Sequence, residues 1–198
     1  MKISFKKVLS VLLLTTLIFS LLGCSKMPKP DESVSGFFDA LKKQDVVTAA
    51  KFIKSDTKSG LNYDNTEQEK VVKEVFSKLD YQIESSEVKG DNATVKAKIT
   101  SVDLVKITGK MISDLLPTFM AQAFSGNQTS DEESQKLVDQ YFSNSINDPK
   151  AEMTATEVTI NLVKSDDKKS WIIVPNDDLL NAMTGNLQKA FASLNSNK

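Results

Sequence analysis

The chain has 198 residues, a formal charge of −1, one cysteine and no histidine, and all 25 of its basic residues are lysine. Without histidine or arginine, the commonest general acid–base group near neutral pH and the bidentate clamp for phosphate or carboxylate are both missing. A lone thiol excludes an internal disulfide and a cysteine-rich metal site, and the slightly acidic balance argues against nucleic acid, which asks for a basic face.

Residues 1–23 read as a signal peptide. Lys2, Lys6 and Lys7 precede an apolar run from Val8 to Leu22 that is too short to span a bilayer. The run ends at Leu21-Leu22-Gly23-Cys24, which resembles the lipobox of bacterial lipoproteins. In that class the cysteine receives a diacylglycerol and becomes the new N-terminus. The resemblance implies lipidation at Cys24 and a place on the extracytoplasmic face of the cell membrane. Two acyl chains give stable anchoring where one does not. The first 23 residues take three lysines and no acid, so the remainder carries a formal charge near −4.

Residues 24–30 form the expected lipidated tether, ending in the stiff Pro28-Lys29-Pro30. A single domain is expected over 31–198. Asp31 reads as an N-cap for a helix with Val34, Phe37, Phe38 and Leu41 on one face. A second short helix follows from Val46 to Ile53. Thr66-Glu67-Gln68-Glu69 is a capping-box pattern opening a helix that buries Val71, Val72, Val75, Phe76 and Leu79.

The period then becomes two. Tyr81, Ile83 and Ser85 alternate with polar residues, and after the turn Lys89–Asn92 so do Ala93, Val95, Ala97 and Ile99, which predicts an antiparallel hairpin with Lys96 and Lys98 on its wet face. A helical insertion is expected at about 105–146. Its first helix carries a broad apolar stripe from Ile107 to Phe124, and Pro117 should kink or break it. Ser130-Asp131-Glu132-Glu133 opens its second helix as another capping box. A second hairpin is expected from Val158–Val163 and Trp171–Val174. A last helix capped by Asn176-Asp177-Asp178 should bury Leu179, Leu180, Met183, Leu187, Ala190, Phe191 and Leu194. The segment Glu69–Ser77 resembles Gln135–Ser143, and each precedes a hairpin.

The order predicts an α+β fold: a curved antiparallel sheet of about four strands in two hairpins, packed against N-terminal, inserted and C-terminal helices. The stretches VSGFFDALKKQDVVTAAKFI, VKGDNATVKAKIT and VTINLVKSDDKKSWIIVPNDDLL resemble the paired helices, a turn-entered strand and the closing hairpin of the nuclear transport factor two-like superfamily. The whole resembles Gram-positive lipoproteins that carry such a cone-shaped domain. The inserted helices depart from a minimal cone, which they either lid or fill.

Candidate chemistry is sparse. Phe37, Phe38, Val95, Ile160, Trp171 and Leu180 should converge in one core, with Trp171 near the N-terminal helices. The alternative places Trp171 and Tyr81 on the lining of a ligand pocket in the cone, with the Tyr81 hydroxyl as a polar handle. Asp80 and Asp103 lie near strand ends, where a cone-fold base would sit, and surface acids are the plainer reading. Asp131–Glu133 and Asp177-Asp178 lack calcium-loop spacing and read as helix starts. No catalytic residue, metal ligand or cofactor is assigned. Two functions stay open: a tethered, non-catalytic module that captures a small apolar molecule or a peptide, and a structural accessory of an envelope protein complex with a filled cone.

Overall fold

The computed structural model of the chain describes residues 27–54, 66–125 and 130–188. The signal peptide and Cys24 lie outside them, as do Ala190, Phe191 and Leu194.

Helix α1 (Pro30–Lys42) starts two residues earlier than the capping pattern predicts, with Lys29 in the N-cap position. Proline at the first helical position loses no bond, because that N–H has no intrahelical partner. Asp31 is therefore not the N-cap. The Glu32 carboxylate accepts from the Lys29 amide at 3.2 Å, and Asp31 accepts from the Ser86 hydroxyl at 3.0 Å. The tether is partly engaged, since Met27 packs against the core. The second helix is shorter than expected. It runs Val46–Ala49 (α2), capped by the Asp45 carboxylate on the Thr48 amide, and tightens into one 3₁₀ turn, Ala50–Phe52. Ile53 instead bridges to Ile173 at the sheet edge. At Gly36 the Phe52 ring lies so close that a Cβ would stand 2.5 Å from its tip, so any larger residue there would push the Phe52 ring aside. Helix α3 is Thr66–Ser77.

Four strands follow in one antiparallel sheet: β1 (Asp80–Lys89), β2 (Asn92–Val102), β3 (Met153–Lys164) and β4 (Trp171–Val174), in that spatial order. The two expected hairpins are thus halves of one meander. The central pair, β2 with β3, is joined in sequence by the helical insertion, and its register sets Ala93, Val95 and Ala97 opposite Leu162, Ile160 and Val158. All six point inward and are buried, while Lys96, Lys98, Glu157 and Thr159 line the solvated face. Strand β1 has a bulge between Ile83 and Ser85, so its inward positions switch from Tyr81 and Ile83 to Ser86 and Val88. The alternation expected through Ser85 ends there.

The insertion is a helical hairpin, α4 (Leu104–Ser125) and α5 (Asp131–Asn147). Helix α4 runs through Pro117 without breaking. Its stripe is only partly used: Ile107 is buried, but Ile112, Leu116, Met120 and Phe124 are 54, 52, 49 and 84% exposed. The α5 capping box forms as expected, with the Glu133 amide donating to Ser130 Oγ and the Ser130 amide to the Glu133 carboxylate, each at 3.2 Å. Helices α3 and α5, the two that resemble each other in sequence, pack together.

The last helix, α6 (Asp177–Met183), is capped by Asn176 Oδ1 on the Leu179 amide at 2.9 Å and is shorter than expected. A turn at Thr184–Asn186 ends it, with φ of +59° at Gly185 and +64° at Asn186. Leu180 is 46% exposed and lines an open cleft among the helices, so it is not part of the buried core. The other five residues expected to converge are buried in one cluster. Helix α6 lies on β2 and β3, with the Ser101 hydroxyl donating to the Ala182 carbonyl at 2.9 Å.

Candidate functional site

The inner face of the sheet is filled. Val95, Ile99, Ile160, Leu162 and Ile173 are essentially inaccessible, and α1 and α6 cover them. The open space lies among the helices instead. A cleft of about 570 Å³ is bounded by α1, α3, the start of α4, Phe142 of α5, and the segment Pro175–Leu187. Its size falls within the range of small-molecule sites, roughly 300–1,000 Å³.

Each wall follows from helical spacing. Phe37 and Leu41 sit one turn apart on α1, and Val71, Val72, Val75 and Phe76 supply two rows of α3. Leu179 and Met183 project from α6 at the same spacing. Three polar residues, Asn176, Asp177 and Thr184, lie on the α6 side. Asp177 is the only charged residue among the described ones that line the cleft. The Thr184 hydroxyl is already committed to the Leu180 carbonyl at 2.9 Å. Such a surface offers apolar contact and a few orienting dipoles, with no paired acid and base.

Trp171 and Tyr81 both lie outside this cleft. Trp171 is 3% exposed on the inner face of β4, a strand that packs on α1, and Lys164 Nζ stands 5.7 Å from its ring centroid. Tyr81 stacks on Phe38 with centroids 5.1 Å apart, and its hydroxyl donates to Asp39 Oδ1 at 2.9 Å. Burial pushes the Tyr81 phenol above its ordinary pKa, and the Asp39 carboxylate adds to this. Tyr81 therefore stays neutral, and its contribution to stability is lost only as pH rises above the ordinary phenol range.

Asp80 and Asp103 have structural partners. Lys42 donates to Asp80 at 2.9 Å, which holds that carboxyl below the usual range and raises the lysine. The contribution of the pair is present above the ordinary carboxylate pKa and fades as pH falls through the lowered one; both groups are well exposed, so it is small. Asp103 caps α4 by accepting from the Lys106 amide at 3.0 Å. A shallow depression beside β1 is lined by Asp31, Glu32 and Asp39, and two of these acids are engaged by the hydroxyls of Ser86 and Tyr81. Among the described residues no group of three or more potential ligands could hold a metal ion, and no helix is long and apolar enough to cross a membrane.

Val71, Val72, Phe142, Asp177 and Thr184 line the cleft without having been singled out as site residues. Their apolar members read as core, because periodicity shows which face of a helix turns inward and not whether the inward faces meet.

No protein-family model matches the chain, and no curated protein matches it. Among solved structures it is similar to a crystal structure from Bacillus subtilis subsp. subtilis str. 168, named "a putative lipoprotein (ycdA)", at 15% identity and a TM-score of 0.44. The match covers 79% of this chain and 46% of that one, so this chain spans less than half the length of the protein it matches.

Proposed function

We propose that this protein is a lipid-anchored, extracytoplasmic binding module without catalytic activity, which holds a small apolar molecule or an apolar peptide side chain in the cleft between α1, α3 and α6. The observation that carries the reading is the cleft itself: about 570 Å³, walled by aliphatic and phenyl side chains, with polar groups confined to the α6 side. Filling such a space removes apolar surface from water on both partners, at about 25 cal/mol per Å². Assignment to the nuclear transport factor two-like superfamily belongs to the same proposal and is supported by α1 lying against the antiparallel sheet with α2 packed on α1.

The anchor has its own test. Cys24→Ala should abolish incorporation of labelled fatty acid and leave the protein uncleaved or released from the membrane. Label entering the variant at the wild-type level defeats the lipoprotein reading.

The cleft is tested by filling it. Val72 is half-buried on its wall, so Val72→Trp places an indole in open space rather than in a packed core. The neutral dye N-phenyl-1-naphthylamine should bind the wild type saturably and the variant at least about tenfold more weakly, a loss of about 1.4 kcal/mol. The unfolding midpoint should barely move. Equal binding by the two proteins, or no saturable binding at all, rejects the cleft as a ligand site. Native mass spectrometry of protein purified from its own host then identifies the retained molecule.

A further inference from the structure

We propose that the end of the domain formed by the β1–β2 and β3–β4 turns, residues 87–91 and 164–169, rests on the phospholipid surface, and that the cleft is held away from it. The proposal rests on the reading of Cys24 as the lipid anchor. Three peptide steps separate Cys24 from Met27, and they span at most about 11 Å. Met27 packs against the core, which fixes one end of that span on the domain. Helix α1 begins three residues later and runs alongside β1 in the opposite direction. Asp31 accepts from Ser86, Asp39 from Tyr81 and Asp80 from Lys42. The start of α1 therefore lies at the end of β1 that leads into the first turn. From Ser86 to Lys89 the strand advances about 10 Å. The second turn lies at the same end: the Lys164 amide donates to the Asp91 carbonyl at 3.0 Å, and the Lys164 ammonium pairs with the Asp91 carboxylate at 2.9 Å. The span from Met27 to Cys24 thus matches the reach of the turns beyond the start of α1.

The opposite end is out of reach. Helix α1 has 13 residues and is about 20 Å long, and β3 carries the chain about 36 Å from Met153 to Lys164. Charge agrees with this placement. The two turns balance four lysines against four acids, and Lys26 and Lys29 do the same for Asp31 and Glu32 at the start of α1. The chain after residue 23 is near −4, so its acid excess lies on the rest of the domain, and the turn end meets an anionic leaflet without net repulsion. The cleft lies towards the far end, since Leu41, Leu104 and Leu187 line it and Leu104 follows the end of β2 at Val102. Its ligand therefore enters from the extracytoplasmic space and not from the bilayer.

The test uses the full chain, produced in a bacterial host with labelled fatty acid and reconstituted into phosphatidylcholine–phosphatidylglycerol vesicles that carry a nitroxide on the lipid headgroup. Lipidation turns the Cys24 sulfur into a thioether, so a cysteine introduced elsewhere is the only thiol. Lys169→Cys, Thr159→Cys and Lys150→Cys, all at exposed positions, are each coupled to bimane. They mark the turn end, the outer face of the sheet and the far end. Fluorescence should be largely lost at 169 and kept at 159 and 150. Inserting about 16 Gly and Ser residues between Lys26 and Met27, a flexible chain spanning roughly 20 Å, should restore the signal at 169. Quenching at 159 as strong as at 169 would lay the sheet face on the membrane, and quenching at 150 alone would invert the domain; either overturns the proposal, as do equal signals at all three positions. Quenching at 169 that survives the longer tether overturns the tether as its cause. Protein that carries no labelled fatty acid defeats the anchor reading as well, whereas labelled protein with the wrong pattern defeats the orientation alone.

Discussion

Trp171→Ala should lower stability by about 3–5 kcal/mol, the range for truncating a large buried aromatic, and should shift the urea midpoint well below wild type. Trp171 is 3% exposed and opens a strand of only four residues. Strand β4 pairs with β3 on one side and, among the described residues, meets the Ile53 bridge on the other. Its hold on the sheet therefore depends on the side chains it buries, of which Trp171 and Ile173 are the two inward ones. Removing the indole also takes away the ring face under the Lys164 ammonium, which is tied to Asp91 at 2.9 Å. The loss is a large share of a typical stability of roughly 5–15 kcal/mol. A midpoint close to wild type would mean that Trp171 is not a core residue, and its place at a ligand surface would then gain support.

Gly185→Ala is expected to cost about 3 kcal/mol or more, a large effect for one methyl group. Two penalties combine. The residue has φ of +59°, where a Cβ costs roughly 1–2 kcal/mol. A Cβ there would also lie well inside contact distance of the Val102 carbonyl oxygen and 2.9 Å from the Leu104 nitrogen. Both atoms are backbone at the junction of β2 with α4, so no side-chain rotation relieves the clash. Gly90→Ala separates the two penalties. Gly90 has φ of +64° in the β1–β2 turn, but a Cβ there would meet nothing within 4 Å. It should cost only the conformational part. Equal losses in the two variants would show that the turn after α6 does not press on that junction.

The elements were legible in the sequence wherever one periodicity held without interruption. Val34, Phe37, Phe38 and Leu41 mark the buried face of α1, and Ala93 to Ile99 mark the inner face of β2, because helix and strand each turn a fixed set of positions inward. Boundaries failed where a tertiary contact outweighed local preference. The turn at Gly185 ends α6 although Leu187 continues the apolar spacing, and it is the approach to Val102 that requires the turn. Pro117 predicts a kink or a break, and α4 continues through it unbroken. The pairing of β2 with β3 could not be read, since strands some fifty residues apart carry no local mark of being neighbours. The candidate site was the least legible part. The same apolar code that fills the sheet face at Val95 and Ile160 lines the cleft at Val72 and Phe142, and only the packing of α3 against α5 distinguishes them.

That pairing of distant strands has a consequence for how the chain reaches its native state. Strands β1 and β2 are joined by the tight turn at Gly90-Asp91, so their ladder can zip locally on a microsecond scale. The β2–β3 ladder begins at Val102 opposite Met153, where the Asp103 amide also donates to the Glu152 carbonyl at 2.9 Å. Every residue of α4 and α5 lies inside the loop that this contact closes. Closing it is entropically costly until the helical hairpin has formed and drawn its own ends together. The order of events then follows from topology: the first β hairpin and the α4–α5 hairpin form independently, and the central ladder is the late step that joins them. Until that step the β2 edge is unpaired and exposes Ala93, Val95 and Ala97, so the interval before closure is when the chain is most prone to associate wrongly.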